Sequence, residues 1–207
     1  MTTTLGSLRS VAAAPRTSEV QRTTRETDIT VRLTLDGSGT ATIATGIGFY
    51  DHLLTSLAHH GLFDLGITAR GDLHVDEHHT VEDVALVLGA AFAEALGDRA
   101  GIARFGDSAV PMDEAVATAV IDIGGRPYAV IDLPFRGERV GELPLQLVDH
   151  ALEAFARTAG ATLHLRGTGR NDHHLAEAAF KALGRALRAA VEADPRRHGL
   201  ASTKGSM

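Results

Sequence analysis

The chain contains no cysteine and no tryptophan, and only two of its 20 basic residues are lysines, Lys181 and Lys204. Without thiols there can be no disulfide, thiolate zinc site, iron–sulfur cluster or cysteine nucleophile. No apolar run approaches the ~20 residues that span a bilayer, so no membrane partner is expected. The formal net charge of -6 lacks the basic excess on which nonspecific nucleic-acid binding depends, and no nucleic-acid partner is expected. The first 18 residues hold no acidic side chain and no apolar core of the secretory type. Their composition fits a disordered tail on a cytoplasmic protein, taken here as residues 1–19, and it also fits a short organellar transit peptide.

What the chain does have is histidine. Six of its 11 histidines form the doublets His59–His60, His78–His79 and His173–His174. At 207 residues with 44% hydrophobic content, it can bury a core as one domain or two small ones.

The chain is also written twice. Asp51-His52, Arg70-Gly71 and His78-His79-x-x-Glu82 recur in order as Asp149-His150, Arg166-Gly167 and His173-His174-x-x-Glu177. The offset drifts only from 98 to 96 to 95 residues, which indicates duplication with small insertions. In the first copy, alternating Val20–Leu35 and Thr40–Thr45 predict a β-hairpin turning at Asp36–Gly39. A helix is predicted over Phe49–His60, stopped by Gly61, then a strand over Leu62–Arg70 and a helix over Thr80–Leu96. The second copy predicts strands at Ala115–Ile123 and Tyr128–Leu133, joined through Gly124–Arg126. A helix at Leu145–Ala159, a strand at Ala161–Arg166 and a helix at Asp172–Ala193 follow, and the connector 101–114 can add a strand near Ile102–Asp107. The expected fold class is therefore α+β, with duplicated β-β-α-β-α halves (about 20–100 and 101–195), helices packed on sheets, and a C-terminal tail at 196–207.

HHTVE at 78–82 and HHLAE at 173–177 each open a predicted helix. Residues at i and i+4 share a helical face, so each motif sets an imidazole beside a carboxylate, a mixed N/O set that suits Mn, Fe, Co or Zn. His52 and His150 add an imidazole per copy. Asp51 and Asp149 are candidate helix caps or ring-orienting partners. Helical neighbours diverge by ~100°, so the two members of a doublet cannot easily serve one ion. Each doublet is expected to join two sites, each drawing ligands from both copies, within one chain or across two subunits.

At GIGFYDHLLTSLAHHGLFDL (46–65), GDLHVDEHHTVEDVAL (71–86), RFGDSAVPMDEA (104–115), DHHLAEAAFKALGRALR (172–188) and STKGSM (202–207), the chain closely resembles the imidazoleglycerol-phosphate dehydratase family. The resemblance runs from about Arg22 to the C-terminus. Tyr50 and Ala201 depart from it, and neither is a proposed ligand. There is no room for the phosphatase domain fused to some members.

The resemblance implies a ribosomal protein S5 domain 2-like fold and a manganese-dependent hydro-lyase of histidine biosynthesis. It implies two manganese ions per active site, each held by three histidines and one glutamate. The ligands carried over are His52, His78, His79, Glu82, His150, His173, His174 and Glu177. It implies an octahedral homo-oligomer of 24 chains with sites between subunits. Glu26 becomes the acid/base candidate, with Glu82 and Glu177 able to shuttle protons. Substrate contacts fall on Glu26, His52, His59, His60, His78, Glu82 and His174, and the phosphate pocket on Arg104, Arg126, Lys181, Ser202 and Lys204. From residue chemistry alone, His59 and His60 could instead complement a helix dipole. Two other readings of the whole remain: a noncatalytic metal-assembled cage, and a metallohydrolase of phosphate esters.

Overall fold

The computed structural model describes residues 16–207. Most of the expected tail thus lies outside the described residues. Its last part does not behave as a tail: Thr17–Thr23 is strand β1, and the buried Ser18 hydroxyl donates to the Ala91 carbonyl at 2.8 Å.

Two halves follow with one topology. In the first, β1 and β2 (Thr27–Thr34) form an antiparallel hairpin around Thr24–Glu26. Then come β3 (Ala41–Ala44), α1 (Gly48–Gly61), β4 (Asp64–Gly71) and α2 (His78–Leu96). In the second, β5 (Phe105–Met112) and β6 (Ala115–Asp122) form the hairpin, followed by β7 (Tyr128–Asp132). A short β8–β9 hairpin (Arg139–Val140, Leu143–Pro144) comes next, then α3 (Gln146–Ala159), β10 (Thr162–Thr168) and α4 (Asp172–Val191). The sheet orders are β1-β2-β4-β3 and β5-β6-β10-β7, and β2 and β6 share one alternating burial pattern.

The duplicated α+β architecture stands; the first half has one strand more than the sequence suggested, β5 occupies the connector where a strand was allowed, and the short β8–β9 hairpin belongs to the second half alone. The hairpins also sit elsewhere. Asp36–Gly39 and Gly124–Arg126 are not hairpin turns, because β3 and β7 cross over a helix and pair in parallel with β4 and β10. The single run Val20–Leu35 breaks at Thr24, whose hydroxyl accepts from the backbone N–H groups of Glu26 and Thr27 at 3.1 and 3.0 Å. That side-chain turn competes with the strand ladder. Gly61 does not supply the left-handed stop of α1 either; Leu62 does, at φ 56°.

Gly61 is needed for packing instead. The helices lie between the two sheets and pair across the repeats, α1 with α4 and α2 with α3. The repeat-related Gly184 and Gly89 make this possible. A Cβ on Gly184 would strike the Leu57 carbonyl and lie 3.2 Å from Gly61 N; one on Gly89 would lie 2.5 Å from the Phe155 carbonyl and 2.9 Å from Ala159 N. These exchanged partners determine where the histidines meet. No described helix is long and apolar enough to cross a membrane.

Candidate metal centre

The doublets open α2 and α4, and both helix starts are fixed alike. Asp76 accepts from His78 N at 2.8 Å, and Asn171 accepts from His173 N at 3.0 Å. Each capping side chain satisfies a backbone N–H that a helix start leaves free. The first histidine of each doublet then faces the glutamate one turn on, and the cross-repeat pairing brings in a third ligand.

Two groups that could hold a metal result among the described residues: His52, His173 and Glu177, and His78, Glu82 and His150. Both take ligands from both repeats. In the first, His52 Nε2 and His173 Nε2 lie 3.0 and 3.1 Å from Glu177 Oε2. The second is looser, with His150 Nε2 3.5 Å from Glu82 Oε1 and His78 Nε2 3.9 Å from Glu82 Oε2. His150 Nε2 is buried with no hydrogen-bond partner, since its approach to Glu82 lacks hydrogen-bond geometry. A buried, unpartnered ring nitrogen aimed at a carboxylate and a second imidazole fits a divalent cation better than a dry core.

The second histidine of each doublet turns away, as the ~100° step between helical neighbours requires. His79 Nδ1 contacts Asp72 Oδ2 at 3.0 Å, and His174 Nδ1 contacts Glu114 Oε2 at 2.8 Å. These bonds hold both imidazoles above the ordinary histidine pKa. Glu114 drops to about 2, through His174 first and the Asn171 and Arg170 backbone N–H groups next. Glu26, at the tip of the β1–β2 turn, is 55% exposed, and its Oε2 lies 3.8 Å from His79 Nε2. Asp83 pins that turn from below, accepting from Thr27 Oγ1 at 2.5 Å and pairing with Arg22.

Each glutamate of the two groups also meets a cation. Lys181 Nζ lies 2.7 Å from Glu177 Oε1, and Arg157 Nη2 lies 3.1 Å from Glu82 Oε1. Burial pushes the Glu177 carboxyl up, but its bonds to Lys181 and His52 outweigh burial and hold it at about 2. Neither of the repeated aspartates before His52 and His150 touches an imidazole. Asp51 Oδ1 accepts from Thr45 N and Oγ1 at 2.9 and 2.5 Å, fixing the loop into α1. Asp149 Oδ1 has no partner, and burial raises its carboxyl to about 6. His59 and His60 occupy the last turn of α1, outside both groups. Burial first, and then the nearby Lys181 charge, lowers the His60 pKa.

Arg104, Arg126, Ser202 and Lys204 line one cleft of about 360 Å³. Lys181 is not in it. Arg104 is largely committed: its Nε and Nη2 donate to both Asp122 carboxylate oxygens at 2.7 and 2.9 Å, and its Nη1 donates to the Ala201 carbonyl at 2.5 Å. It therefore anchors the C-terminal segment, while Arg126, 75% exposed and 3.7 Å from Asp122 Oδ2, makes only a long ion pair and lines the cleft.

Sequence reasoning overlooked Asp72, Asp83, Glu114 and Arg157. The signal for Glu114 was available: aligning the residues that precede β2 and β6 pairs Glu26 with Glu114.

Residues 45–187 match the family model described as imidazoleglycerol-phosphate dehydratase. Among similar proteins, imidazoleglycerol-phosphate dehydratases from Gluconacetobacter diazotrophicus and Methanoculleus marisnigri are each 56% identical. The first match covers 92% of this chain and 97% of the relative, the second 93% and 100%. The solved structure of imidazoleglycerol-phosphate dehydratase from Staphylococcus aureus superposes with a TM-score of 0.77 at 35% identity, covering 86% of this chain and 99% of that one. The Pyrococcus furiosus structure gives 0.79 at 37% identity, covering 91% and 100%. The chain belongs to the imidazoleglycerol-phosphate dehydratase family.

Proposed function

We propose that this protein converts imidazoleglycerol phosphate to imidazoleacetol phosphate and water, as a manganese-dependent step of histidine biosynthesis in the cytoplasm. The observation that carries the reading is the pair of matched imidazole–carboxylate groups, each assembled from both repeats. Two nitrogen donors and one carboxylate oxygen per group suit a divalent transition metal, the class to which manganese belongs. His79 and His174, facing outward, complete the sets as ligands to the sites of neighbouring subunits, two ions per active site. Bound manganese would act as a Lewis acid, making the substrate's imidazole N–H easier to lose.

The chain's own groups supply the rest. Glu26 has no hydrogen-bond partner that commits its carboxylate, so it is placed to move protons at the glycerol carbons. Hydroxide leaves the carbon beside the ring and a proton leaves the next carbon. Together these make water and an enol, which becomes the ketone. Glu82 and Glu177 act chiefly as ligands. Arg126, Lys204 and Ser202 hold the phosphate, with Arg104 keeping the C-terminal segment in place. Lys181 reaches that phosphate only if the pocket is completed by another subunit, in keeping with an octahedral assembly of 24 chains.

A metal-assembled cage has no need of the cationic cleft, and a phosphate-ester hydrolase would release phosphate. Incubating manganese-loaded protein with imidazoleglycerol phosphate therefore tests the reading: an enolizable ketone should form without free phosphate, and phosphate release without ketone would refute it. Arg126→Ala and Lys204→Ala should each raise KM with little change in kcat. A lost charge-assisted contact is worth ~1.5–3 kcal/mol, so about a tenfold to hundredfold rise is expected. Unchanged KM in both variants would move the phosphate elsewhere.

A further inference from the structure

The residue immediately before β2 is Glu26, and the residue immediately before β6 is Glu114. The two carboxylates hold the same place in the two repeats, each facing the second histidine of its own doublet. Their surroundings differ. Glu26 is held by nothing closer than His79 Nε2 at 3.8 Å, because the other carboxylates take over its duties. Asp72 braces the His79 ring, and Asp83 ties the turn to α2 through Thr27 and Arg22. In the second repeat one side chain performs both tasks. Glu114 Oε1 accepts from Arg170 N and Asn171 N at 3.0 and 2.7 Å, fixing the loop into α4, while Oε2 meets His174 Nδ1 at 2.8 Å.

We propose that Glu114 is a positioning residue that sets the tautomer and direction of His174, and that this fixed role distinguishes it from its repeat partner Glu26, which stays free for proton transfer. This rests on the reading of His174 as a metal ligand. An ionised carboxylate only accepts hydrogen bonds, so Nδ1 must carry the proton. In the neutral ring the lone pair then lies on Nε2. That nitrogen faces away from Glu114, its nearest acid being the exposed Asp113 at 3.8 Å, and it is available to an ion. A carboxylate bonded to the far nitrogen of a ligating imidazole both orients it and raises its basicity.

Glu114→Gln separates this role from a loop brace. Its amide oxygen can still accept from Arg170 N and Asn171 N, but the NH₂ group then faces His174 and favours the opposite tautomer, with the proton on Nε2. Manganese affinity, measured on the full chain by competition with a chelating dye, should fall ~10–100-fold in Glu114→Gln and in Glu114→Ala. Glu26→Gln should keep wild-type affinity. In a His174→Ala background, Glu114→Gln should have no further effect. The ¹⁵N shifts of the metal-free protein give a second readout, with His174 protonated on Nδ1 in wild type and on Nε2 in Glu114→Gln. Wild-type manganese affinity in Glu114→Gln, or an equal loss with and without His174, overturns the proposal alone. A wild-type chain that does not bind manganese overturns the metal reading as well.

Discussion

Glu26→Gln should leave manganese content and assembly unchanged while slowing turnover at least ~100-fold, the scale on which a general acid/base contributes. The substitution preserves shape and removes only the capacity to exchange a proton. The turn does not depend on that carboxylate: Thr24 holds its backbone and Asp83 holds Thr27. Nor does either candidate metal group, since Glu26 lies outside both. The loss should appear in kcat, with KM changed far less. Near-normal turnover, measured as ketone formation, would remove Glu26 from the mechanism.

Removal of the metal should have the largest effect of all. Histidine and glutamate ligate only when deprotonated, so protons compete with manganese at every ligand. A chelator at neutral pH should abolish activity and convert a large particle to small oligomers, if outward-facing His79 and His174 complete sites on neighbouring chains. Acidification below the free histidine pKa of ~6.5 should do the same. In the metal-free chain Asp72 and Glu114 hold those two imidazoles above the ordinary value, so proton competition there begins at a higher pH than for free histidine.

The fold should outlast the metal. A raised histidine pKa contributes stability that is fully present below the unfolded value and lost as pH rises through the folded one, so mild acid does not weaken these pairs. Glu114 and Glu177, held at about 2, contribute stability above the unfolded carboxylate range and lose it only as pH falls toward 2. Circular dichroism should therefore stay native while manganese leaves near pH 6. His78→Ala/His173→Ala, which takes one ligand from each group, should resemble the chelated protein even with manganese present. Light scattering and metal analysis on the same samples decide the matter; a metal-free particle of unchanged mass would rule out metal-driven assembly.

The duplication and the residue types of the two candidate groups were legible in the sequence, because helical periodicity and an i,i+4 histidine–glutamate pair are local patterns. So was the divergence of His78 from His79 and of His173 from His174. Strand pairing was not. β3 reads as half of a hairpin from its own residues, and only the crossover through α1 places it parallel to β4. The exchange of helix partners was likewise hidden, since nothing near Gly184 names Leu57 and Gly61 as its neighbours. Asp72 went unnoticed for the same reason, since a carboxylate that braces an imidazole from another element leaves no local spacing to read; Glu114 shows only when the repeats are aligned on β2 and β6. The histidine–aspartate adjacency at 51–52 and 149–150 suggested ring orientation, yet Asp51 braces the loop before α1 and Asp149 Oδ1 is buried without a partner.

The central claim, that two ions sit where the repeats exchange helices, is tested most directly by counting manganese per chain at saturation. Wild type should hold two, and His52→Ala and His150→Ala should each lose one while retaining the fold. Two ions retained by both variants, or none in wild type, would contradict the account.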